Sequence, residues 1–372
     1  MPAWEQYIRR VEPYVPGEQP KRRDIVKLNT NENPYPPSPA VAAALAALAE
    51  QGAETMRLYP DPAAAELVGA IAEAHGVRPE QVFPGVGSDD VIAMAFQTFF
   101  NSGKPILFPD ISYSFYSVWA ELFGIPYEQP ALDDAFRIVP EDYLRESGGI
   151  IFPNPNAPTS LYMPLAEVER IVAGNPDVIV MVDEAYIDFV DAERMDCAAG
   201  DAAGDSPAPV SALSLLDRYE NLLVIRTFSK SRSMAGMRVG YAIGSETLIR
   251  ALNDVKYSFN SYTLNRPAIA AGAAAMRDGQ YFLETRRKIL DTRARACEEF
   301  KALGFDFPEP SGNFMFVRHR ARPAAEIFAA LKERGIYVRY FPKPRIDNYL
   351  RVTVGTDAEM EKLFSALREI LA

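Results

Sequence analysis

The alternation of apolar, strand-like runs with helical segments between residues 40 and about 260 is the feature that most constrains the fold. Runs such as VIVMVD at 178–183 and LLVIRT at 222–227 are apolar at nearly every position, as expected for strands that helices cover on both faces. Strand, helix and strand in repeated succession is typical of a parallel sheet. We therefore predict an α/β fold built on a mainly parallel sheet.

The predicted elements of this region follow one another without a visible internal repeat. Strands are predicted at 105–109, 149–153, 178–183, 222–227 and 238–243, and helices at 89–100, 114–123, 165–173 and 247–257. Residues 197–209 are rich in Ala, Gly, Asp and Pro and poor in bulky side chains, so we expect an exposed insertion loop there.

The two ends of the chain differ from this central region in their pattern of predicted secondary structure. Prolines near the N-terminus prevent a long regular element, which predicts an arm lying across the rest of the molecule. After Asn265 come two long helical stretches, followed by strands at 314–317, 336–340 and 349–354, a helix near 323–334 and a last helix from 357. We predict an N-terminal arm at 1–29, a large domain at 30–262 and a smaller α+β domain at 263–372.

Composition and charge exclude several classes of partner. The 372 residues carry a formal charge of −11, so the basic surface that nucleic acid requires is not expected. No run of residues approaches the length of a membrane span, and no signal peptide is visible. The two cysteines, Cys197 and Cys297, show no metal-site or disulfide spacing, which indicates a reducing compartment. We expect a cytoplasmic protein.

Histidine is scarce, which restricts the chemistry. His75 and His319 are the two histidines of the sequence, and neither lies in a metal-ligand pattern. A Ser-His-Asp triad and a histidine-based metal site are therefore not expected. If the protein is an enzyme, its chemistry must come from Lys, Tyr, Asp or a cofactor, and no metal is expected.

The sequence RTFSK at 226–230 ends an apolar strand with two hydroxyl side chains and a lysine. Ligands bind at the carboxyl ends of strands in α/β sheets. Lys230 is able to form a Schiff base with an aldehyde cofactor, while Thr227, Ser229 and Arg238 are suited to hold a phosphate. Taken alone, the motif suits a solvated loop lysine equally well.

The sequence VIVMVDEAYIDF places Asp183 and Tyr186 just after a wholly apolar strand. A carboxylate at the end of a buried strand is costly unless it meets a cation. The pyridinium nitrogen of pyridoxal phosphate is such a cation, and its protonated ring accepts electrons from a bound substrate. The alternative is that Asp183 caps the following turn.

Gly85 and Gly87 precede Ser88 and Asp89 at the predicted start of a helix. Glycine allows close backbone approach, and free N–H groups at a helix N-terminus attract phosphate. The same residues also suit a plain turn with a helix cap. The order of the three motifs along the chain favours a phosphate-bearing cofactor.

Eight motifs, taken together and in this order, resemble the histidinol-phosphate aminotransferases. They are LNTNENPYPP at 28–37, LYPD at 58–61, GVGSDD at 85–90, PNPNAPTS at 153–160, VDEAYIDF at 182–189, RTFSK at 226–230, MRVG at 237–240 and YLRVTVGT at 349–356. This family belongs to the aspartate aminotransferase-like group, the fold type I pyridoxal phosphate enzymes, which act as homodimers. The resemblance therefore implies a pyridoxal 5'-phosphate cofactor and a dimeric aminotransferase.

The resemblance also implies a role for each matching residue. Lys230 would be the Schiff-base lysine, Asp183 the partner of the ring nitrogen and Tyr186 the partner of the ring's phenolic oxygen. The other cofactor-binding residues would be Ser88 and Asp89 through their backbone, Tyr113 stacked on the ring, Thr227, Ser229 and Arg238 at the phosphate, and Tyr59 from the neighbouring subunit. Substrate-binding residues would be Arg351 and Arg339 at the anionic group, and Tyr14 and Asn33 from the N-terminal arm.

Two positions depart from the family's usual Asn-Pro-Thr-Gly motif. Ala157 stands where the usual Asn bonds the cofactor's phenolic oxygen, and alanine cannot make that bond. Either Asn156 supplies the amide after a one-residue shift, or Tyr186 holds the oxygen alone. Ser160 replaces the usual Gly, which predicts a less strained backbone at that point.

The implied reaction is transamination of L-histidinol phosphate with 2-oxoglutarate, giving imidazole-acetol phosphate and glutamate in histidine biosynthesis. Both substrates carry anionic groups that Arg339 and Arg351 are able to bind bidentately. An aromatic amino acid aminotransferase or a threonine-phosphate decarboxylase of the same fold would share the cofactor motifs. A pyridoxal phosphate-binding regulator would need a DNA-binding domain before the fold, for which the N-terminal arm is too short.

Overall fold

The computed structural model describes residues 3–21, 24–191 and 210–372. The predicted loop at 197–209 and Cys197 lie outside the described residues. The α-helices are α1 (Pro39–Glu50), α2 (Ala65–His75), α3 (Ser88–Phe99), α4 (Phe115–Phe123), α5 (Leu165–Ala173), α6 (Glu246–Phe259), α7 (Arg266–Arg277), α8 (Gly279–Ala302), α9 (Ala324–Glu333) and α10 (Asp357–Leu371). The strands are β1 (Val26–Lys27), β2 (Val82–Gly85), β3 (Ile106–Leu107), β4 (Tyr127–Glu128), β5 (Ile150–Pro153), β6 (Val180–Asp183), β7 (Leu222–Thr227), β8 (Gly240–Gly244), β9 (Phe305–Asp306), β10 (Phe314–His319), β11 (Ile336–Tyr337), β12 (Arg339–Tyr340) and β13 (Leu350–Thr353).

Local sequence signals set the ends of several helices. Helix α7 begins after Asn265, whose side chain accepts the N–H of Ala268 at 2.8 Å, with proline in its first turn. Helix α10 begins with a capping box in which Thr356 and Glu359 exchange hydrogen bonds. Such caps satisfy N–H groups that have no partner within the helix.

A seven-stranded sheet forms the centre of the larger part of the molecule, in the order β2-β8-β7-β6-β5-β3-β4. The strands β7, β6, β5, β3 and β4 pair in parallel, whereas β8 is antiparallel to both of its neighbours. The predicted mainly parallel sheet is confirmed. Strands β5, β6 and β7 are buried at every position because helices cover both faces.

The C-terminal part contains a four-stranded sheet in the order β12-β13-β10-β9, whose neighbours are antiparallel. The single strand predicted at 336–340 is two strands in the structure. Strand β11 pairs in parallel with β1 of the N-terminal arm, whereas β12 pairs with β13. The apolar run is continuous along the chain, but it passes from one sheet to the other at Val338.

The packing crosses the limits of the predicted domains. Val26 and Leu28 of the arm are buried in the C-terminal core beside α8, α9 and α10. Helix α7, in contrast, is buried against residues of α2 and β8 in the core of the larger sheet. The division at residues 29 and 262 stays a prediction.

Within the described ranges, none of the helices combines the length and the apolar character that crossing a membrane needs.

Candidate active site

A cleft of about 480 Å³ lies between the seven-stranded sheet, the N-terminal arm and the C-terminal sheet. We use the term cleft for this cavity throughout. The residues predicted for the site that line the cleft are Tyr14, Ser88, Asp89, Tyr113, Asp183, Tyr186, Thr227, Ser229, Lys230, Arg238, Arg339 and Arg351. The structure thus brings together residues that are more than 300 positions apart in the sequence.

Sheet topology explains how Asp183, Thr227 and Arg238 meet at one edge. Asp183 and Thr227 are the last residues of the parallel strands β6 and β7. Strand β8 runs the opposite way, and its first residue, Gly240, pairs with Thr227. The start of β8 therefore lies at the same edge as the ends of its parallel neighbours, and Arg238 is carried to the cleft by this reversal.

The start of helix α3 forms an anion-binding corner of the cleft. No described side chain caps α3, so the first N–H groups of this helix are free to bind an anion. Gly240 permits this arrangement, because a Cβ atom there would lie 2.3 Å from the Ser88 nitrogen. A Cβ atom on Gly87 would lie 2.5 Å from the Arg238 guanidinium, which therefore packs directly on the turn.

The Asp89 carboxylate lies at this corner, in contact with Arg238 and Tyr113. Arg238 donates to its carboxylate at 3.2 Å, and the Tyr113 hydroxyl donates at 2.9 Å. Arg238 also lies 3.5 Å from the Ser229 hydroxyl. The guanidinium is thus oriented toward the helix start, where it and the free N–H groups suit a phosphate.

Asp183 is a buried carboxylate at the floor of the cleft. It is 5% exposed, and accepts hydrogen bonds from the Tyr116 hydroxyl at 2.8 Å and the Ala185 N–H at 3.2 Å. Burial raises the pKa of Asp183 from 3.8 to about 6, although both hydrogen bonds oppose this shift. A cation in the cleft would offset the cost of burying the charge.

Lys230 and Tyr186 face each other across the cleft. The Lys230 Nζ atom lies 5.7 Å from the centre of the Tyr186 ring and donates to the Thr30 carbonyl at 2.9 Å. The Tyr186 hydroxyl accepts a hydrogen bond from the Asn31 amide at 3.0 Å. The amine and the phenol are thereby both anchored to the N-terminal segment.

Arg339 and Arg351 form a cationic end of the cleft. They stand directly opposite each other on the antiparallel strands β12 and β13, so their side chains share one face of the sheet. Burial lowers the pKa of Arg351, and the charge of Arg339 lowers it further. The buried Arg351 Nε atom has no hydrogen-bond partner among the described residues. Two opposed guanidinium groups with an unused donor suit an anionic ligand.

Three residues predicted for the site do not line the cleft. The Asn156 amide donates to the Ile111 carbonyl at 3.0 Å and to the Thr159 hydroxyl at 3.2 Å, so both of its N–H groups are engaged outside the cleft lining. The Asn33 amide donates to the Ser231 carbonyl at 3.2 Å. Tyr59 is 75% exposed and stacks on Tyr262 at 4.4 Å. The structure therefore gives no support to the one-residue shift that would bring Asn156 to the cofactor.

The prediction of a relaxed backbone at Ser160 is wrong. Its φ is +65°, in the left-handed region that favours glycine. The Ser160 hydroxyl donates to the Phe314 carbonyl at 2.9 Å and accepts the Gly312 N–H at 2.8 Å. These buried bonds to the C-terminal sheet hold the residue in its unfavourable conformation.

Both histidines lie outside the cleft lining. His75 Nε2 is 2.7 Å from the Tyr241 hydroxyl, and burial lowers the pKa of His75 to about 4. His319 Nδ1 accepts the N–H groups of Ala321 and Arg322. Both therefore contribute to structure rather than to the chemistry of the cleft.

Sequence reasoning missed Tyr116, Asn31 and Glu32. Tyr116 lies one helical turn after Tyr113, and a tyrosine in an apolar helix signals a buried hydroxyl that needs a partner. Asn31 and Glu32 stand in the same NENP motif as Asn33. Glu32 lines the cleft and accepts the Thr30 hydroxyl at 2.6 Å. The motif itself did not show which of its polar residues points inward.

Comparison with known proteins identifies the family to which this cleft belongs. The family described as aminotransferase class I and II matches residues 23–367. The chain belongs to the class I and II aminotransferases.

This aminotransferase has close relatives over its whole length. It is 51% identical over 372 residues to histidinol-phosphate aminotransferase 1 of Bordetella parapertussis, with 99% of each chain covered. It is 50% identical to the histidinol-phosphate aminotransferase of Aromatoleum aromaticum, again with 99% of each chain covered. The resemblance drawn from the eight motifs is confirmed.

Solved structures confirm the predicted fold class. The histidinol-phosphate aminotransferase from Sinorhizobium meliloti in complex with pyridoxal-5'-phosphate matches with a TM-score of 0.78 at 23% identity, covering 93% of this aminotransferase and 90% of that chain. The L-threonine-O-3-phosphate decarboxylase from Porphyromonas gingivalis matches with a TM-score of 0.75 at 18% identity, covering 93% and 99%. At these identities the structures show the fold alone.

Proposed function

We propose that this aminotransferase catalyses the transamination of L-histidinol phosphate with 2-oxoglutarate, giving imidazole-acetol phosphate and glutamate in histidine biosynthesis. The observation that carries the proposal is its 51% identity, over nearly the full length of both chains, to a protein named histidinol-phosphate aminotransferase. The cationic end of the cleft agrees with it, because both substrates are anions.

The cleft fits pyridoxal 5'-phosphate on chemical grounds. Asp183 is a buried carboxylate that lacks a charged partner strong enough to restore its ordinary pKa, and the protonated ring nitrogen is such a partner. The uncapped start of α3 and the Arg238 guanidinium form a corner for the phosphate. Lys230 would hold the aldehyde carbon, Tyr113 would lie against the ring, and the hydroxyls of Thr227 and Ser229 line the phosphate corner.

When bound, this cofactor supplies a protonated ring that withdraws electrons from the substrate's α-carbon. Asp183 would keep the ring nitrogen protonated, since a carboxylate beside that nitrogen stabilises its positive charge. Lys230 Nζ would act as the general base that takes the proton from the substrate's α-carbon. Its bond to the Thr30 carbonyl holds the amine in the cleft beside the segment that follows the arm.

Arg339 and Arg351 would hold the anionic group of each substrate in turn. Their mutual repulsion falls when a phosphate or a carboxylate lies between them. Tyr14 lines the cleft from the arm side, with its ring edge-on to the Tyr113 ring at 6.0 Å. The arm would thereby exclude water from the bound substrate.

A homodimer accounts for the position of Tyr59. Its ring is exposed and does not line the cleft of its own chain, and the neighbouring Met56, Leu58 and Tyr262 are also exposed apolar side chains. A contiguous exposed apolar patch of this kind marks an interaction surface. We infer that a second copy covers this patch and receives Tyr59 in its cleft, and that the enzyme works in the cytoplasm.

The decisive test compares substrates on the purified, cofactor-loaded protein. Glutamate formation from 2-oxoglutarate is measured with histidinol phosphate, phenylalanine and threonine phosphate, together with carbon dioxide release. The proposal requires histidinol phosphate to be the preferred amine donor. Preference for phenylalanine would indicate an aromatic amino acid aminotransferase, and carbon dioxide from threonine phosphate would indicate a decarboxylase. Sedimentation of the same sample tests the dimer.

A further inference from the structure

The segment 29–32, where the N-terminal arm ends, contacts three functional groups of the cleft. The Asn29 carbonyl accepts a hydrogen bond from Arg351 at 2.9 Å, and the Thr30 carbonyl accepts one from Lys230 at 2.9 Å. The contact with Tyr186 is different, because a side chain makes it. The Asn31 amide donates to the Tyr186 hydroxyl at 3.0 Å.

The orientation of the Asn31 amide follows from its other neighbours. The Thr353 hydroxyl accepts the Asn31 backbone N–H at 3.0 Å and donates its single proton to Asn31 Oδ1 at 3.1 Å. The amide oxygen is thereby engaged, so the NH₂ group is the part that faces Tyr186. Asn313 donates to the Asn31 carbonyl at 3.0 Å, and Asn31 is completely buried. The amide is held rigidly on the C-terminal sheet.

This arrangement decides where the Tyr186 proton points. A phenolic oxygen that accepts a hydrogen bond from an amide directs its own proton away from that donor. Tyr186 lines the cleft, so its proton would be free to point into the space proposed for the cofactor. Accepting a bond also makes the phenol a stronger donor, because hydrogen bonds in a chain polarise one another.

We propose that Asn31 is a positioning residue that acts through Tyr186, aiming and strengthening the hydrogen bond from the phenol to the phenolic oxygen of the cofactor. It would compensate in part for Ala157, which lines the cleft and carries no amide. The inference rests on the proposed cofactor chemistry and adds a residue to it.

The titratable groups that interact with Tyr186 stay unchanged in the test. They are Lys230, Arg351, Tyr14, Tyr113 and Tyr116. A shift caused by replacing Asn31 is therefore not a loss of charge, since the amide is neutral.

The variant Asn31→Gly removes the amide without backbone strain. Asn31 has a φ of +56°, which glycine adopts freely. The measurement is a spectrophotometric pH titration of the cofactor-loaded protein, which follows the proton on the nitrogen that joins Lys230 to the cofactor. A weaker hydrogen bond from Tyr186 leaves more negative charge on the cofactor's phenolic oxygen. This charge stabilises the proton on the neighbouring nitrogen and so raises the pKa of that nitrogen. We expect the midpoint to rise by about 0.5–1 pH unit, the equivalent of one hydrogen bond.

Two controls separate this role from a general structural effect. In a Tyr186→Phe background, Asn31→Gly should cause no further shift, because the route through the phenol is already gone. Thr353 supplies a matched pair outside the cleft lining. Thr353→Ser keeps the hydroxyl that orients the amide and should leave the midpoint unchanged, whereas Thr353→Val should raise it. If Asn31→Gly does not fold, the difference in midpoint between Thr353→Ser and Thr353→Val tests the same role.

The outcomes distinguish this inference from the proposed function. An unchanged midpoint in Asn31→Gly, or a full shift that persists in the Tyr186→Phe background, would overturn the role of Asn31 while transamination by the wild-type protein continued. A wild-type protein with neither a cofactor spectrum nor transamination would instead overturn the proposed function. Cofactor affinity should change less than about threefold in Asn31→Gly, because the phosphate corner is intact.

Discussion

Replacing Asp183 by Asn should have opposite effects with and without the cofactor. Without cofactor the variant should gain stability relative to the wild type at neutral pH, and with cofactor it should bind the cofactor more weakly and lose activity. The asparagine has nearly the same shape, and its oxygen is still able to accept one of the bonds from Tyr116 and Ala185. The change removes the charge and one of the two hydrogen bonds. Without cofactor the buried charge destabilises the fold, whereas with cofactor it would pair with the protonated ring nitrogen.

The magnitude follows from the pKa of Asp183, which burial raises from 3.8 to about 6 in the cofactor-free protein. A carboxyl group with a raised pKa stabilises the fold fully below its unfolded pKa, and this contribution is lost as pH rises through the folded value. The loss amounts to about 3 kcal/mol at neutral pH, since one pKa unit corresponds to about 1.4 kcal/mol. The free energy of unfolding of Asp183→Asn does not fall with pH in this way, but it is lower by about 1 kcal/mol because one hydrogen bond is missing.

The assay is urea unfolding of the cofactor-free protein at pH 4.5 and at pH 7.5. Over this interval we expect the wild type to lose about 2 kcal/mol relative to Asp183→Asn. Asp217→Asn, at an exposed position, should follow the wild type at both pH values. A stability difference independent of pH would refute the description of Asp183 as a buried carboxylate without a sufficient cation.

In the cofactor-loaded protein the charge of Asp183 should be favourable rather than destabilising. There Asp183→Asn should weaken cofactor binding and lower turnover by at least ~100-fold, because a neutral amide no longer favours the protonated ring nitrogen. A loss of turnover below about tenfold would assign Asp183 to capping the turn instead.

Three further substitutions test the other parts of the cleft. Lys230→Ala should abolish the yellow colour of the purified protein and nearly all turnover, and near-normal activity would disprove its role. Arg351→Ala should raise the KM for histidinol phosphate and for 2-oxoglutarate together by roughly ten- to a hundredfold, the value of one charge-assisted bond, with the cofactor spectrum unchanged. Arg318→Ala, on the neighbouring strand but exposed, is its control, and weakened cofactor binding with normal KM values would reverse our assignment of the arginines. Tyr59→Ala should be impaired alone but regain activity when its subunits are exchanged with those of Lys230→Ala, since a mixed dimer contains one complete site; no recovery would argue against a shared site.

Much of the fold and the cofactor chemistry was predictable because the signals are local. The apolar run before Asp183 reads as a buried strand from its own residues, and the bounds of β6 and β7 differ from prediction by two residues or fewer. Asp183 ends β6 and Lys230 comes shortly after the end of β7. Because the two strands are parallel, both residues lie at the same edge of the sheet. The order of the motifs was enough to indicate the cofactor.

The sequence by itself therefore determined the fold class, the cofactor motifs and the family, because periodicity and motif order lie within short stretches of chain. Only the tertiary structure decided which polar groups meet. The antiparallel direction of β8 brings Arg238 to the cleft, the C-terminal sheet holds Ser160 in a left-handed conformation, and the Asn31 amide reaches Tyr186. The partners in that last contact are 155 residues apart. Such contacts depend on how distant segments pack, and no pattern within either segment records them.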